Sequence, residues 1–513
     1  MHTGRFALRL AMLASAGIIV AGAESRSLVD ASRAENLPLV QELLNSGAPV
    51  NETAADGTTA LHWLVRLEDP GIVARLLKSG ADVNVADGNG VTPLYVAISL
   101  ANPDLTNLLL NAGADPNAVH LSGENLLMLA AHVGEPGILR ALLDHGADVN
   151  FVQAETGTTP LMLAVREGDP QITQILLDAG AEVNAATFPG EKPERLPPGF
   201  GGGSHGEGIV RGGVPPRGQQ TPAIGGMTAL FYAARDGNQK LVQMLLDAGA
   251  DIDAAEANNI TPLQAALGSG NFDVAAYLIE RGADVNSADD YGRTPLWLAT
   301  DYRNLDIARS GDEHNNLVDR ERAMKLIRKL LAAGAKVNAQ TTEYPPVRRY
   351  MRPLGDFSWV NIIGQTPFFR AALSGDIDLM RLLLDYGADP NIETEAGSTA
   401  LMAAAGMNWV YQQTYTVSPE ASLDAVKLCV KLGVDVNQTN SMGLAAVHAA
   451  ANRGSDDIIQ YLFDQGADLT LKDEIGRTPY VWAQGVFLAT NGAIEKPTTM
   501  ALIQQLLGES SGE

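Results

Sequence analysis

At 513 residues the chain is too long for one compact core, which rarely grows past about 250–300 residues, so several domains or a stacked array are required. Its formal charge of −24 excludes nucleic acid and anionic membrane surfaces as natural partners, since both would be repelled. Apolar residues make up 46%, so the 52 glycines and 26 prolines mark turns rather than disorder, and the lone Cys429 excludes an intrachain disulfide.

Residues 1–23 read as a secretory signal peptide: Arg5 and Arg9 form a basic start, Leu10 to Val20 is apolar, and Ala21-Gly22-Ala23 is a small-residue cleavage site. The apolar run falls short of the ~20 residues a membrane span needs, which disfavours an anchor. No cysteine follows it, so lipid attachment there is excluded. Export without disulfides points to a periplasmic or secreted protein. Removing the signal takes away two arginines and leaves the mature chain at −26.

From Ser27 onward the chain is punctuated by glycines that suit left-handed helix ends: Gly47, Gly80, Gly113, Gly146 and Gly180, at steps of 33, 33, 33 and 34 residues. Within one period, Thr92 is placed to cap a helix beginning at Pro93. Leu94, Ala97 and Ile98 then share a face, and a second helix from about Leu105 ends at Gly113. Two such short stripes cannot make a core alone, so each unit needs a neighbour on either side. The first unit, Ser27 to Asn51, mixes Asp30, Arg33, Glu35 and Asn36 among its apolar residues and reads as a terminal cap. The fourth replaces the helix opening with Glu124-Asn125-Leu126-Leu127, but Leu127, Ala130 and Ala131 keep the helical spacing.

The rhythm continues at Gly249, Gly282, Gly334, Gly387, Gly433 and Gly466, with insertions of 36, 19, 20 and 13 residues stretching some of the steps. Thr92-Pro93-Leu94, Thr159-Pro160-Leu161, Thr261-Pro262-Leu263 and Thr294-Pro295-Leu296 recur at the helix openings. Gly-Ala-Asp-Val-Asn recurs at Gly80, Gly146 and Gly282. These motifs, with His62 and His448 at the histidine position of the same signature, resemble the ankyrin-repeat family over roughly residues 27–508. The resemblance implies an all-α ankyrin-repeat solenoid of about twelve helix-turn-helix repeats with loop insertions. It also implies that the Asp of each Gly-Ala-Asp turn hydrogen-bonds locally and that His62 and His448 bridge adjacent repeats.

On this reading residues 24–184 hold repeats 1–5, 185–226 a Gly/Pro-rich flexible finger insertion, and 227–338 repeats 6–8. Residues 339–362 are a basic and aromatic finger insertion, 363–508 hold repeats 9–12, and 509–513 are a polar tail. Two further insertions leave the opposite edge. One, about 301–320, is charged through Asp301, Arg303, Asp306, Arg309, Asp312 and Glu313; the other carries Trp409, Tyr411 and Tyr415.

The candidate partner-binding patch is Arg348, Arg349, Tyr350, Arg352, Phe357 and Trp359, since arginine interleaved with aromatics is the mixture enriched at interface hot spots. On an acidic chain it suits an acidic peptide or protein surface; the competing reading is a loop folded back on the stack. Trp409, Tyr411 and Tyr415 are a second such patch, or packing. Gly202-Gly203-Ser204-His205-Gly206 matches a nucleophile elbow in letters only, because prolines and glycines flank it where a strand and a helix are needed. Gly201, Gly203 and Gly206 likewise match a dinucleotide-type spacing without the helix that would hold a phosphate. The eight histidines, among them His120, His132 and His145, do not fall at metal-ligand spacing, and the Asp residues come one per turn rather than paired. Cys429 lies in a helical pattern as a small buried residue. No catalytic residue, cofactor or metal is implied. The expectation is a non-catalytic, monomeric scaffold for a protein partner, without stable membrane insertion after signal cleavage. The alternatives are a regulator or inhibitor of a partner enzyme, or an enzyme or ligand-binding protein with a site built from the insertions.

Overall fold

A computed structural model describes residues 27–190, 225–304, 319–343, 363–407, 418–486 and 494–510. Among them the regular elements are all helices, twenty-four in twelve successive pairs, and the extended backbone is limited to isolated bridges. The chain divides into two compact units, the first holding residues up to 188 with 225–233 and 240–251, the second holding 234–239 and the chain from 252 onward.

In the first unit the pairs are α1 (Leu28–Arg33) with α2 (Leu37–Asn45), α3 (Ala60–Arg66) with α4 (Pro70–Lys78), and α5 (Pro93–Ser99) with α6 (Pro103–Asn111). Then come α7 (Leu126–Val133) with α8 (Pro136–Asp144) and α9 (Pro160–Glu167) with α10 (Pro170–Asp178). Threonine opens the first helix of a pair: Thr92 Oγ1 accepts from the Tyr95 amide at 3.1 Å and Pro93 occupies the first turn, a cap worth about 1 kcal/mol. In the fourth unit Asn125 takes that duty, accepting from the Met128 amide at 2.9 Å, and Leu127, Ala130 and Ala131 are fully buried as the spacing predicts.

The second helix starts at Pro103, two residues ahead of the sequence expectation, because Asn102 caps it through the Leu105 amide at 3.0 Å. Asp69-Pro70, Glu135-Pro136 and Asp169-Pro170 repeat the device. It ends as expected. Gly113 turns left-handed at φ +90°, and the Ala114 amide reaches back to the Leu109 carbonyl at 3.0 Å. First helices pack on first helices and second on second, so Leu61, Leu64, Leu94, Ala97, Ile98, Leu105 and Leu109 lie buried between layers. Successive layers are also tied at the turns. Asn84 donates Nδ2–H to the Gly113 carbonyl (3.0 Å) and accepts from the Asp115 amide (2.8 Å). Asn51, Asn117, Asn150 and Asn184 make the same two bonds to the turn of the following repeat. The Asp of the turn works locally, Asp82 accepting from the Asn84 amide at 2.9 Å.

After α11 (Ala229–Asp236) and α12 (Gln239–Asp247), the second unit continues with α13 (Pro262–Gly268), α14 (Phe272–Glu280), α15 (Pro295–Arg303) and α16 (Arg320–Ala332). It goes on through α17 (Pro367–Leu373), α18 (Ile377–Asp385), α19 (Ala400–Ala405), α20 (Pro419–Lys431), α21 (Ala446–Arg453) and α22 (Asp456–Asp464), and finishes with α23 (Pro479–Ala483) and α24 (Pro497–Ser510).

Two further details differ from the sequence reading. Asp301 and Arg303, read as part of a charged insertion, are the last turn of α15. Arg303 makes a two-pronged contact with Asp376 (Nε to Oδ2, 2.7 Å), and Arg370 donates to Asp301 at 2.9 Å. These four side chains are no more than 14% exposed, so the charges stay helical because each finds its partner on the next repeat. At the other end α24 runs to Ser510, two residues into the stretch read as a tail. Gly508 does not turn left-handed there, so nothing stops the helix.

Candidate functional site

Each repeat of the first unit sends out a tight turn between its closing Asn and the next capping residue, and the turns lie side by side as fingers. Backbone bonds join them: Gly88 N–H to Asp56 O (2.8 Å), Leu121 N–H to Asn89 O (3.3 Å) and Phe188 N–H to Thr156 O (2.8 Å). Gln153 Nε2–H adds a bond to Ser122 O at 2.9 Å. Gly157 sits at φ +73°, where a Cβ would stand 2.5 Å from the Phe188 amide, so only glycine lets the last finger close on its neighbour. That finger is held at its base by Thr187, whose amide donates to Met227 O at 3.1 Å and whose carbonyl accepts from Gly226 N–H at 2.9 Å.

The side chains these turns present are unusual for a loop. Val119 is 47% exposed, Leu121 74%, Val152 44% and Phe188 50%, half of the large apolar side chains left exposed among the described residues, gathered on three consecutive fingers. The finger turns carry Asp56, Asp87, Glu124 and Glu155 and no lysine or arginine, within a segment, residues 27–188, of 20 Asp and Glu against 6 Lys and Arg. Hydrogen bonds from the Thr58 hydroxyl and amide hold the Asp56 carboxyl below the usual carboxylate range, so it stays ionised at the row's edge. His120 stacks on Tyr95 with ring centroids 5.1 Å apart. Val119, Leu121, Val152 and Phe188 are not among the sequence-derived candidates. The available signal was Leu121 and Phe188 at the turn position that is Gly88 in an earlier finger, and Val119 and Val152 at the position that is Ala86.

The sequence-derived patch, Arg348, Arg349, Tyr350, Arg352, Phe357 and Trp359, lies outside the described residues, as do Trp409, Tyr411, Tyr415, Ser204 and His205. His62 and His448 bridge repeats as expected. His62 Nδ1 accepts from the Thr59 amide (3.1 Å) and Nε2–H donates to Val91 O (3.0 Å); His448 accepts from Ala445 N–H (3.1 Å) and donates to Leu471 O (3.2 Å). Both rings are therefore neutral. Burial lowers each below the usual imidazole value, His448 to about 4, against the attraction of the Asp473 carboxylate. His132 meets Glu167 at 2.9 Å, and His145 Nδ1–H bonds the Ala141 carbonyl at 2.8 Å within its own helix. Among the described residues no three His, Cys, Asp or Glu side chains are grouped to hold a metal. Burial pushes the Cys429 thiol up to about 12, so it is neither nucleophile nor ligand near neutral pH.

An open cleft of about 440 Å³ lies between α16 and α18 in the second unit. Arg303, Arg328 and Arg381 line it together with Glu321, Asp378 and Asp385, over Met324 and Leu382. Its charges are balanced and it contains no paired nucleophile and base. Among the described residues, the finger row is where half of the exposed large apolar side chains are found.

Family models match the paired helices along the chain. A family model described as ankyrin repeats in three copies matches residues 28–120, 102–187, 230–310 and 415–485, and a single ankyrin-repeat model matches 364–392. The chain belongs to the ankyrin-repeat family. Among curated ankyrin relatives, the bovine (Bos taurus) inactive serine/threonine-protein kinase TEX14 is 32% identical over 140 residues, which is 27% of this chain and 6% of that protein. The mouse (Mus musculus) B-cell lymphoma 3 protein homolog is 30% identical over 124 residues, 24% of this chain and 26% of that protein. Human (Homo sapiens) ankyrin repeat domain-containing protein 63 is 31% identical over 125 residues, 23% of this chain and 30% of that protein. The chain therefore spans at most about a third of the length of these relatives. The crystal structure of the ankyrin repeat domain of Bcl-3 aligns with 47% of this chain and 94% of its own, at 26% identity and a TM-score of 0.38.

Proposed function

We propose that this chain is a non-catalytic ankyrin scaffold that grips a protein partner through the finger row of its first unit. The observation that carries the proposal is the exposure of Val119, Leu121, Val152 and Phe188 on adjacent fingers joined by the Gln153 side-chain bond to Ser122 O and the Phe188–Thr156 backbone bond. Isolated exposed apolar residues are ordinary, but a contiguous group with a polar rim marks an interaction site. The fingers are pinned by hydrogen bonds at their bases, so a partner would meet a preformed surface and lose little affinity to ordering it.

The test is to identify what the full chain retains in mild salt, purify that partner, and titrate it against the native chain and a Leu121→Ser/Phe188→Ser variant. Loss of binding in the variant supports the reading; equal binding overturns it. A second contact is proposed at Arg348, Arg349, Tyr350, Arg352, Phe357 and Trp359, for an acidic surface of the partner. Alanine at Arg348, Arg349 and Trp359 should weaken the same titration. We also propose export, on the strength of the signal-like residues 1–23 and the single cysteine; an exported chain recovered from cells should begin near Glu24, and one that retains Met1 would refute it.

A further inference from the structure

The finger row has a character of its own beyond being a place to bind: apolar tips set in a strongly acidic surround. Resting on the scaffold reading above, we propose that the partner presents a cationic amphipathic helix, with apolar residues that seat on Leu121, Val152 and Phe188 and lysines or arginines that face the flanking acids. Three features carry this.

The first is charge. The finger turns hold Asp56, Asp87, Glu124 and Glu155 with no lysine or arginine, in a segment of 20 acidic against 6 basic residues between 27 and 188, so an acidic segment would be repelled before its apolar groups could touch. Lysines and arginines reverse that field and speed the encounter.

The second is apolarity at the tips. Leu121 is 74% and Phe188 50% exposed, so a purely polar cationic chain would leave this apolar surface uncovered and forgo its contribution. Both halves of the helix are needed.

The third is spacing. Stacked helical layers repeat at roughly 8–10 Å, so three adjacent fingers span about 20 Å. Two turns of a helix advance about 10.8 Å, close to one finger, so one apolar stripe can meet each finger in turn. Alternate residues of a strand advance only about 7 Å and drift out of step with the row.

The probe is a fluorescent, amidated peptide of about five helical turns, roughly 18 residues, with leucine on one face and lysine on the other. Two controls accompany it, one with glutamate in place of lysine and one with serine in place of leucine. The full-length chain is titrated by fluorescence anisotropy, alongside the Leu121→Ser/Phe188→Ser variant, whose changes are on exposed tips and leave every acid in place. The Lys/Leu peptide is expected to bind the native chain and to lose about tenfold in affinity on the variant, the effect of uncovering two partly exposed apolar side chains. Added salt is expected to weaken it further, since the Debye length shrinks below the separation of the charges.

Equal binding of the Glu/Leu peptide overturns the charge argument. Equal binding of the Lys/Ser peptide, or of the variant, reduces the effect to diffuse attraction and overturns the site. If the natural partner is lost on the variant while the Lys/Leu peptide fails to bind, the scaffold reading stands and this inference falls; if the variant keeps the natural partner, the scaffold reading itself falls.

Discussion

Acidification should loosen the C-terminal repeats through one imidazole. His448 is fully buried, accepts a bond from Ala445 N–H and donates one to Leu471 O, an arrangement only the neutral ring can make. A proton on Nδ1 would point at the Ala445 amide hydrogen. The ring's pKa falls from 6.5 to about 4 on folding, burial being the main cause; the nearby Asp473 carboxylate pulls it back up, and the Arg477 guanidinium pushes it down. The sign follows from linkage. The stability is fully present above the unfolded value of 6.5, is lost as pH drops toward 4, and changes no further below that. A difference of roughly 2.5 units at about 1.36 kcal/mol each places the loss on the order of 3 kcal/mol.

The protein supplies its own control. Gln264 stands at the same position of another repeat, where Oε1 accepts from Thr261 N–H at 2.9 Å and Nε2–H donates to Arg293 O at 2.8 Å. His448→Gln should therefore keep both bonds without a titrating group. Urea unfolding with amide exchange read over residues 444–483 is the assay. Near pH 7 the two proteins should differ by less than about 1 kcal/mol. By pH 4 the variant should be the more stable by about 3 kcal/mol, the carboxylates that also titrate being common to both. Parallel stability curves from pH 7 to pH 4 would refute the argument.

Three further outcomes are expected. Asn117→Ala removes bonds to Gly146 O (3.0 Å) and Asp148 N–H (2.8 Å), so the urea stability of the neighbouring repeats should fall by about 1–3 kcal/mol; an unchanged midpoint would show that the turns are held by packing alone. Gly157→Ala forces a Cβ to 2.5 Å from the Phe188 amide at a positive φ, so exchange protection of Phe188 N–H should drop while the helices stay protected, and retained protection contradicts the close approach. Asp376→Asn leaves the Arg303 guanidinium, 12% exposed, without its carboxylate, a loss of about 3 kcal/mol if the pair behaves as buried pairs do, measured by thermal unfolding against Asp378→Asn on the exposed side of the same helix.

Much of this was legible because the contacts of the array are nearly periodic. A residue's neighbour in the next layer lies about one repeat further along the chain, so the 33-residue steps between glycines already state which segments pack together. Thr92, Pro93 and Gly113 act within one helix each, and their roles could be read from four or five adjacent letters. Asn102 could have been read the same way; a cap before a proline at a second helix is a local signal, and starting that helix at Leu105 overlooked it. The binding surface was less legible. Arg348 and Trp359 stand out by composition, while Leu121 and Phe188 are ordinary letters whose significance depends on what covers them.

The amino-acid sequence alone determined the helical pairs, their caps, their period and hence the ankyrin family, because those rest on bonds within a few residues and on repetition. Tertiary structure decided the rest: that Asp301 and Arg303 turn inward to Asp376 and Arg370 across some 70 positions of chain, and that exposed apolar side chains fall on three adjoining turns. Burial and charge pairing are properties of the surroundings a side chain acquires, and those surroundings exist only once neighbouring layers have closed on one another.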